Sequence, residues 1–274
     1  MDLDAERVLK TEPSDVRRRR RDRRGSALSV LAPVATFAVL ILLWWALVVL
    51  FTIPEYLVPD PQSVIPSLVK NAPDLWDQST MTLSEIIGGF LITVVFAIPM
   101  GLVIALSLFA RRVAYPVLVF VQLIPKIAIA PLFVVWFGFG LQSKLFLTVL
   151  MTFFPLLLAS IAGFQTLDQR LLYLTKSMGA SRLQTFWSVR LPSALPVIFS
   201  GLKTAATIAT TAAIVAEFVG SNVGLGYRLL TATLYLDTPL IFAILAILTV
   251  IGLTLNYIVE AVEYIVMPWQ HAQS

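Results

Sequence analysis

The sequence predicts an all-α integral membrane protein with six transmembrane helices. Of its 274 residues, 58% are hydrophobic and only 13% are charged, whereas charged residues make up about 25% of a typical soluble domain. A helix that spans the hydrocarbon core needs about 20 consecutive, mostly apolar residues. Six runs reach that length: residues 25–54, 86–110, 113–143, 145–167, 191–216 and 238–259.

The first run, residues 25–54, contains no charge and directly follows the basic stretch RRRRRDRR at 17–24. It is too long and too far from the start to be a cleaved signal peptide. Arginines beside a span fix its orientation and attract anionic lipid headgroups, so the stretch indicates contact with membrane lipid and no nucleic acid. We expect a disordered basic tail over 1–26, a transmembrane domain over 27–268 and a short tail over 269–274.

The basic residues between the runs predict how the chain is oriented. Fifteen of the 20 Lys and Arg lie in the N-terminal tail and in the segments after the second and fourth runs. The opposite side carries three, Lys70, Lys144 and Arg228. Because basic segments stay in the cytoplasm, both termini are predicted to be cytoplasmic.

Two charges fall within the apolar runs, Lys126 after Pro125 in the third and Lys203 in the fifth, and Glu217 closes the fifth. An unpaired charge in the bilayer costs about 2.5 kcal/mol or more, so each should face protein or water. Two interpretations of Lys126 and Glu217 remain open. The charges stabilise packing, or the two residues are candidates for a solute pathway, in which Lys126 offers a cation to an anionic or polar solute. The small-residue run at 204–217 fits close helix packing or a pathway wall.

A polar segment of about 168–196 separates the fourth and fifth runs on the predicted cytoplasmic side. Asp168 is a predicted N-cap for a short helix from Gln169 to Met178, and Gly179 falls where a helix end favours a left-handed residue. Ser181 and Gln184 fit a capping box that begins a second helix. Pro192 is expected to stop that helix and turn the chain back into the membrane. A plain connector needs only about 2–8 residues, so this helix–turn–helix is predicted to contact a partner.

The same segment resembles the cytoplasmic EAA loop of permease subunits of binding-protein-dependent ABC importers. That motif is Glu-Ala-Ala, three residues, Gly, nine residues, Ile, one residue and Leu-Pro. Here Gly179 is followed by nine residues and then by Val189, Arg190, Leu191 and Pro192. The Glu-Ala-Ala positions depart from the motif, since they hold residues 173–175, Tyr-Leu-Thr.

Four further stretches resemble, in order, the branch of that family that imports nitrate, sulfonates, taurine and pyrimidine-like compounds. They are TLSEIIGGF (82–90), PKIAIAPLFVVWFGFGLQSK (125–144), GASRLQTFWSVRLPSALPVIFSGLK (179–203) and AEFVGSNVGLG (216–226). The stretch 217–240 favours a pyrimidine or other heteroaromatic solute within this branch.

The resemblance implies a permease in the bacterial inner membrane that forms the path for a small solute. It implies a cytoplasmic ATPase, an external binding protein and a second permease copy as partners, and no cofactor. The segment would be a coupling helix–turn–helix between helices 4 and 5. Its candidate ATPase-coupling residues are Gly179, Ala180, Ser181, Gln184, Phe186, Trp187, Leu191 and Pro192. Phe186 and Trp187 are expected to anchor the ATPase, unless they pack on the permease's own helix ends.

Other function classes fit the sequence less well. The chain has no G-x-x-x-x-G-K-[ST] phosphate loop, so ATP hydrolysis is assigned to a partner and no catalytic residue is predicted. A membrane enzyme or assembly scaffold is one alternative, but an enzyme should show clustered His, Asp or Glu, and there is one His. A stand-alone secondary transporter is the other, but the runs lack the acidic or histidine chain of a proton relay.

Overall fold

The computed structural model describes residues 35–271, so the expected basic tail over 1–26 lies outside the described residues. The described residues divide into two compact units, with the boundary between Val64 and Ile65. In the first unit, α1 spans Ala35–Leu50 and is apolar but short. The helix α2, Pro61–Lys70, begins in the first unit and ends in the second.

The second unit contains all the remaining described helices. They are α3 Ala72–Leu106, α4 Leu108–Leu123, α5 Lys126–Phe137, α6 Leu141–Gln165, α7 Gln169–Ser177, α8 Arg182–Thr185, a π-helical turn Phe186–Arg190, α9 Leu191–Gly220, α10 Leu225–Leu234, α11 Thr238–Val266 and α12 Pro268–His271. Within residues 35–271, four helices are long and apolar enough to cross a membrane, or five if the bent α4–α5 pair counts as one span. The all-helical membrane fold is confirmed.

Helices α3 and α6 run parallel with a constant register. The Lys144 ammonium donates a hydrogen bond to Glu85, and the Thr152 and Thr93 hydroxyls are 2.6 Å apart. Along this interface, a residue of α3 therefore faces the residue of α6 that lies 59 positions later. A Cβ on Gly89 would lie 2.4 Å from Thr148 Cγ2. The small residues at every fourth position of α3 therefore let the two backbones approach closely.

Helix α9 runs antiparallel to α6 and α11, which fixes two ends of the bundle. Gly163 of α6 packs against Ala194 of α9, whereas Gly201 of α9 packs against Ala159 of α6. Lys203 of α9 forms an ion pair with Glu263 of α11. The C-terminal ends of α3, α6 and α11 thus lie with the N-terminal end of α9; we call this the basic end, because the adjoining segments carry Arg111, Arg112, Arg170, Lys176, Arg182 and Arg190. The N-terminal ends of α3, α6 and α11 and the C-terminal end of α9 form the opposite end.

The third apolar run is not one straight helix, which corrects the expected span of 113–143. Helices α4 and α5 meet at an angle of 87°. The break lies at Pro125, and Ile124 before it is extended, with ψ 127°, as favoured for a residue that precedes proline. Since α3 ends at the basic end and α6 begins at the opposite end, the bent pair makes one crossing.

The second run also begins earlier than predicted, since α3 starts at Ala72 and includes three carboxylates ahead of residue 86. These acidic residues lowered the local hydropathy, and the prediction therefore placed the first turns of α3 outside the span.

Pro192 does not stop the helix that begins at Arg182, which corrects a second expectation. Helical structure continues from Arg182 to Gly220 over 39 residues. The π-helical turn at Phe186–Arg190 precedes the proline. In this turn the Leu191 N–H donates to the carbonyl of Phe186, five residues earlier, whereas an α-helical N–H donates to the carbonyl four residues earlier. This wider turn makes room for a proline ring that would otherwise clash with the preceding turn.

Candidate functional site

The turn between α7 and α8 at the basic end has the predicted caps. Gly179 has φ 77°, its N–H donates to the Lys176 carbonyl at 3.1 Å, and the Ala180 N–H donates to the Thr175 carbonyl at 3.0 Å. This pair of bonds defines a Schellman motif. The Ser181 hydroxyl accepts from the Gln184 N–H at 3.2 Å, and the Gln184 side chain accepts from the Ser181 N–H at 2.8 Å. The two helices therefore meet at a fixed angle.

Large apolar side chains project from this pair of helices without cover from the rest of the described chain. Trp187 is 61% exposed. The other members of this exposed apolar set are Leu171, Tyr173, Leu174, Met178 and Leu183. Single exposed apolar residues are ordinary, but this short polar segment exposes six of them.

Phe186 and Trp187, predicted as a pair of anchors, have different roles. The Phe186 ring is half-buried and stacks 6.5 Å from the ring of Phe164, in a cluster with Ala194 and Ile198. Leu191 belongs to the same cluster. Phe186 thus packs on the ends of α6 and α9, and Trp187 alone of the two is free to contact another molecule.

Lys126 lies at the break of the α4–α5 pair, beside an aromatic cavity. Its Nζ is 5.4 Å from the centroid of the Phe154 ring. Phe154 lines an apolar cavity of about 620 Å³ between α3, α5 and α6, together with Phe96, Met100, Phe133, Phe146 and Phe153. A cation over an aromatic face is attracted by the ring quadrupole, so the Phe154 ring is a favourable neighbour for the Lys126 ammonium.

Glu217 is fully buried at the opposite end, where it caps α10. Its Oε1 accepts from the Thr82 hydroxyl at 2.6 Å, and its Oε2 accepts from the Gly226 N–H. The Leu225 N–H donates to Thr82 Oγ1 at 2.8 Å. A carboxyl group here accepts from orphan donors at the start of a helix, so these contacts favour the packing interpretation of Glu217.

Two of the three glycines of the stretch 216–226 are explained by this buried carboxylate. A Cβ on Gly224 would lie 2.1 Å from Glu217 Oε1, and one on Gly226 would lie 2.7 Å from Oε2. Gly224 also has φ 103°, a region that glycine enters at little cost. The sequence pattern that favoured a heteroaromatic solute therefore has a local structural cause.

The prediction missed an ion pair between Glu85 and Lys144, which join α3 to α6 near the same end. Lys144 Nζ lies 2.6 Å from Glu85 Oε1, and both side chains are almost fully buried. Lys144 was expected in an outer loop, but it belongs to the first turn of α6. The available signal was the set of small residues four apart after Glu85 (Gly89, Thr93, Ala97 and Gly101), which marks a packed face.

The chain matches a known protein family over most of its transmembrane part. Residues 94–271 match the family described as "Binding-protein-dependent transport system inner membrane component".

Individual proteins are similar over nearly the whole chain. A probable ABC transporter permease protein of Haemophilus influenzae is 38% identical over 85% of this chain and 95% of its own length. The taurine transport system permease protein of Escherichia coli is 31% identical, over 88% and 90% respectively. The riboflavin transport system permease protein of Chloroflexus aurantiacus is 36% identical, over 86% and 88%.

Proposed function

The chain belongs to the family of binding-protein-dependent transport system inner membrane components, and from this membership we propose how it couples to its energy source. It is the transmembrane permease subunit of an ABC importer, and ATP is hydrolysed by a separate subunit. We propose that α7, α8 and the following π-helical turn dock on that ATPase in the cytoplasm.

The observation that carries this proposal is the exposed apolar set on α7, α8 and Trp187. The set projects from two helices whose relative angle is fixed by the Schellman motif at Gly179 and the capping box at Ser181. A rigid display of aromatic and aliphatic side chains is what a protein interface uses as an anchor. Co-purification of the ATPase with variants of this surface tests the proposal.

The continuous helix from Arg182 to Gly220 supports a direct mechanical link between the ATPase and the membrane. A force on α8 reaches α9 without crossing a loop, because Arg190 and Leu191 are helical. The π-helical turn is the least regular part of this helix, and π turns are frequent at functional positions. We propose that ATPase closure tilts α9 through this turn, with Leu191 and Pro192 at the junction.

We also propose six spans, with both termini in the cytoplasm of the bacterial cell. Helices α3, α6 and α11 run in one direction and α9 runs in the opposite direction, as that topology requires. Helix α1 would supply the remaining span. A homodimer is proposed as the transport unit, because one bundle of this size forms only part of a channel wall.

Cysteine accessibility tests the orientation, in a chain with no native cysteine. We expect Tyr235→Cys, at the opposite end, to react with an impermeant maleimide in intact cells, and Ser177→Cys, at the basic end, to react only after permeabilisation. Both positions are exposed, so burial does not explain a difference. Reaction of Ser177→Cys in intact cells would contradict both the topology and the ATPase contact.

We propose that the aromatic cavity beside Lys126 is part of the solute pathway and favours a flat, anionic or polar heteroaromatic solute. The cavity wall supplies aromatic rings for stacking, and Lys126 supplies a positive charge. Glu217 is excluded from this role in the proposal, because its carboxylate is enclosed by Thr82 and Gly226 within a single subunit.

The Lys126→Met variant is expected to reduce solute uptake by about tenfold or more, since a lost charge-assisted contact contributes about 1.5–3 kcal/mol. ATPase co-purification and thermal stability should stay near wild type. Lys203→Met is a matched control, because Lys203 pairs with Glu263 at the basic end, away from the cavity. A Lys126→Met protein that fails to accumulate would contradict the pathway assignment and favour a packing role.

A further inference from the structure

We propose that the turn Leu234–Tyr235–Leu236 is a docking knob for the external solute-binding protein. The proposal rests on the proposed function, since it places this turn outside the cell. The turn joins α10 to α11 at the opposite end of the bundle, and its three side chains are 77%, 81% and 64% exposed.

The knob stands beyond the start of α6. In the α3–α6 register, Leu141 at the start of α6 lies opposite Thr82, so residues 72–81 of α3 extend about 15 Å further at 1.5 Å per residue. Leu225, at the start of α10, donates to Thr82 of α3. Arg228, one turn later in α10, donates to Asp74, which lies nearer the start of α3. Helix α10 therefore runs outward along this extension, with the knob at its far end.

The base of the knob is rigid. Thr82 and Glu217 accept hydrogen bonds from the first turn of α10. One turn later, Arg228 Nε donates to Asp74 Oδ2 at 2.6 Å. At the far end, the Asp237 N–H donates to the Ala232 carbonyl at 3.0 Å and the Leu236 N–H donates to the Thr233 carbonyl at 3.2 Å. These two bonds form a second Schellman motif, so the three apolar side chains are presented in a fixed arrangement.

Leu236 occupies a backbone position that disfavours leucine. Its φ is 56°, in the left-handed region where glycine or asparagine is the less strained residue. Because Leu236 is 64% exposed, little packing within its own chain offsets this strain. Such an outlier is a reason to look for function.

A protein is a better partner for this knob than lipid. Between Thr238 and Ile244, α11 has no exposed large apolar side chain, and the exposed apolar surface of α11 begins at Leu245. The knob therefore lies about 10 Å along α11 from the first exposed large apolar side chain of that helix. In a binding-protein-dependent importer, the protein that reaches the outer face is the solute-binding protein. The matching surface on that protein would be a concave apolar patch that receives Tyr235 between two leucines.

The test uses the complete transporter, permease with its ATPase in proteoliposomes, and titrates the purified cognate binding protein while ATP hydrolysis is measured. Tyr235→Ser and Leu236→Gly should each raise the half-maximal concentration of binding protein by about tenfold or more, as for interface hot spots. Basal hydrolysis and ATPase content should stay at wild-type levels. Leu236→Gly should unfold at the same temperature as wild type or higher, because glycine relieves the left-handed strain.

Trp76→Ser is the matched control, since Trp76 is a large exposed aromatic residue of the same extension on the side that faces α11. Wild-type stimulation of both knob variants would overturn the proposal, and so would a crosslink from Tyr235→Cys to a second permease copy rather than to the binding protein. A wild-type transporter that hydrolyses ATP without any response to a binding protein would contradict the proposed function instead.

Discussion

Replacing Lys144 with methionine is expected to destabilise the permease by about 3–5 kcal/mol, the usual result of leaving one charge of a buried pair without its partner. Lys144 Nζ lies 2.6 Å from Glu85 Oε1, and both side chains lie between α3 and α6 with almost no exposure. Its loss leaves a buried carboxylate at the point where α3, α6 and α9 meet. Denaturant unfolding in detergent micelles measures the change.

Two further variants separate the buried charge from the loss of packing. Lys203→Met breaks a partly exposed ion pair with Glu263 and should cost about 1 kcal/mol or less, as exposed pairs do. The double variant Glu85→Gln/Lys144→Met removes both charges and should recover much of the stability lost in the single variant. Equal losses of stability for Lys144→Met and Lys203→Met would show that the Glu85–Lys144 pair contributes no more to stability than a surface ion pair does.

The variants Gly179→Val and Trp187→Ala are expected to weaken ATPase binding through different causes. At Gly179, φ 77° disfavours a β-branched residue, and the strain costs about 1–3 kcal/mol. Nothing lies within 4 Å of the added Cβ, so the effect is a changed angle between α7 and α8 and no clash. Trp187→Ala removes an exposed anchor and should cost about 2 kcal/mol of binding, or about 30-fold in Kd.

Matched controls exist for both changes. Gly138 also has a positive φ, 76°, with nothing within 4 Å of an added Cβ, but it lies at the opposite end of the bundle. Gly138→Val should therefore bind the ATPase like wild type. Phe186→Ala should lower the stability of the permease itself, because its ring stacks on Phe164.

The sequence predicted the helices better than their contacts. Apolar runs of membrane length depend only on local composition, so most of the expected spans have a matching helix. The caps at Asp168, Gly179 and Ser181 were predictable for the same reason, since each involves residues within five positions of one another.

Features that depend on pairing between distant segments were missed. The 59-residue register of α3 and α6 brings Glu85 to Lys144, and no local pattern states that register. Hydropathy placed Glu85 just outside a span and Lys144 in a loop, because it scores a paired charge like a solvated one. Phe186 and Trp187 are equally apolar neighbours, and only the position of Phe164 separates a packed ring from an exposed one.

The proposed contact between the α7–α8 segment and a cytoplasmic ATPase is tested most directly by equilibrium binding. The purified ATPase is titrated against the permease in lipid nanodiscs, and Kd is compared for wild type, Trp187→Ala, Gly179→Val and Gly138→Val. The structure predicts about 30-fold weaker binding for Trp187→Ala, weaker binding for Gly179→Val, and wild-type binding for Gly138→Val. If all four proteins bind the ATPase with the same Kd while remaining folded, α7 and α8 only connect α6 to α9 and the coupling proposal is wrong.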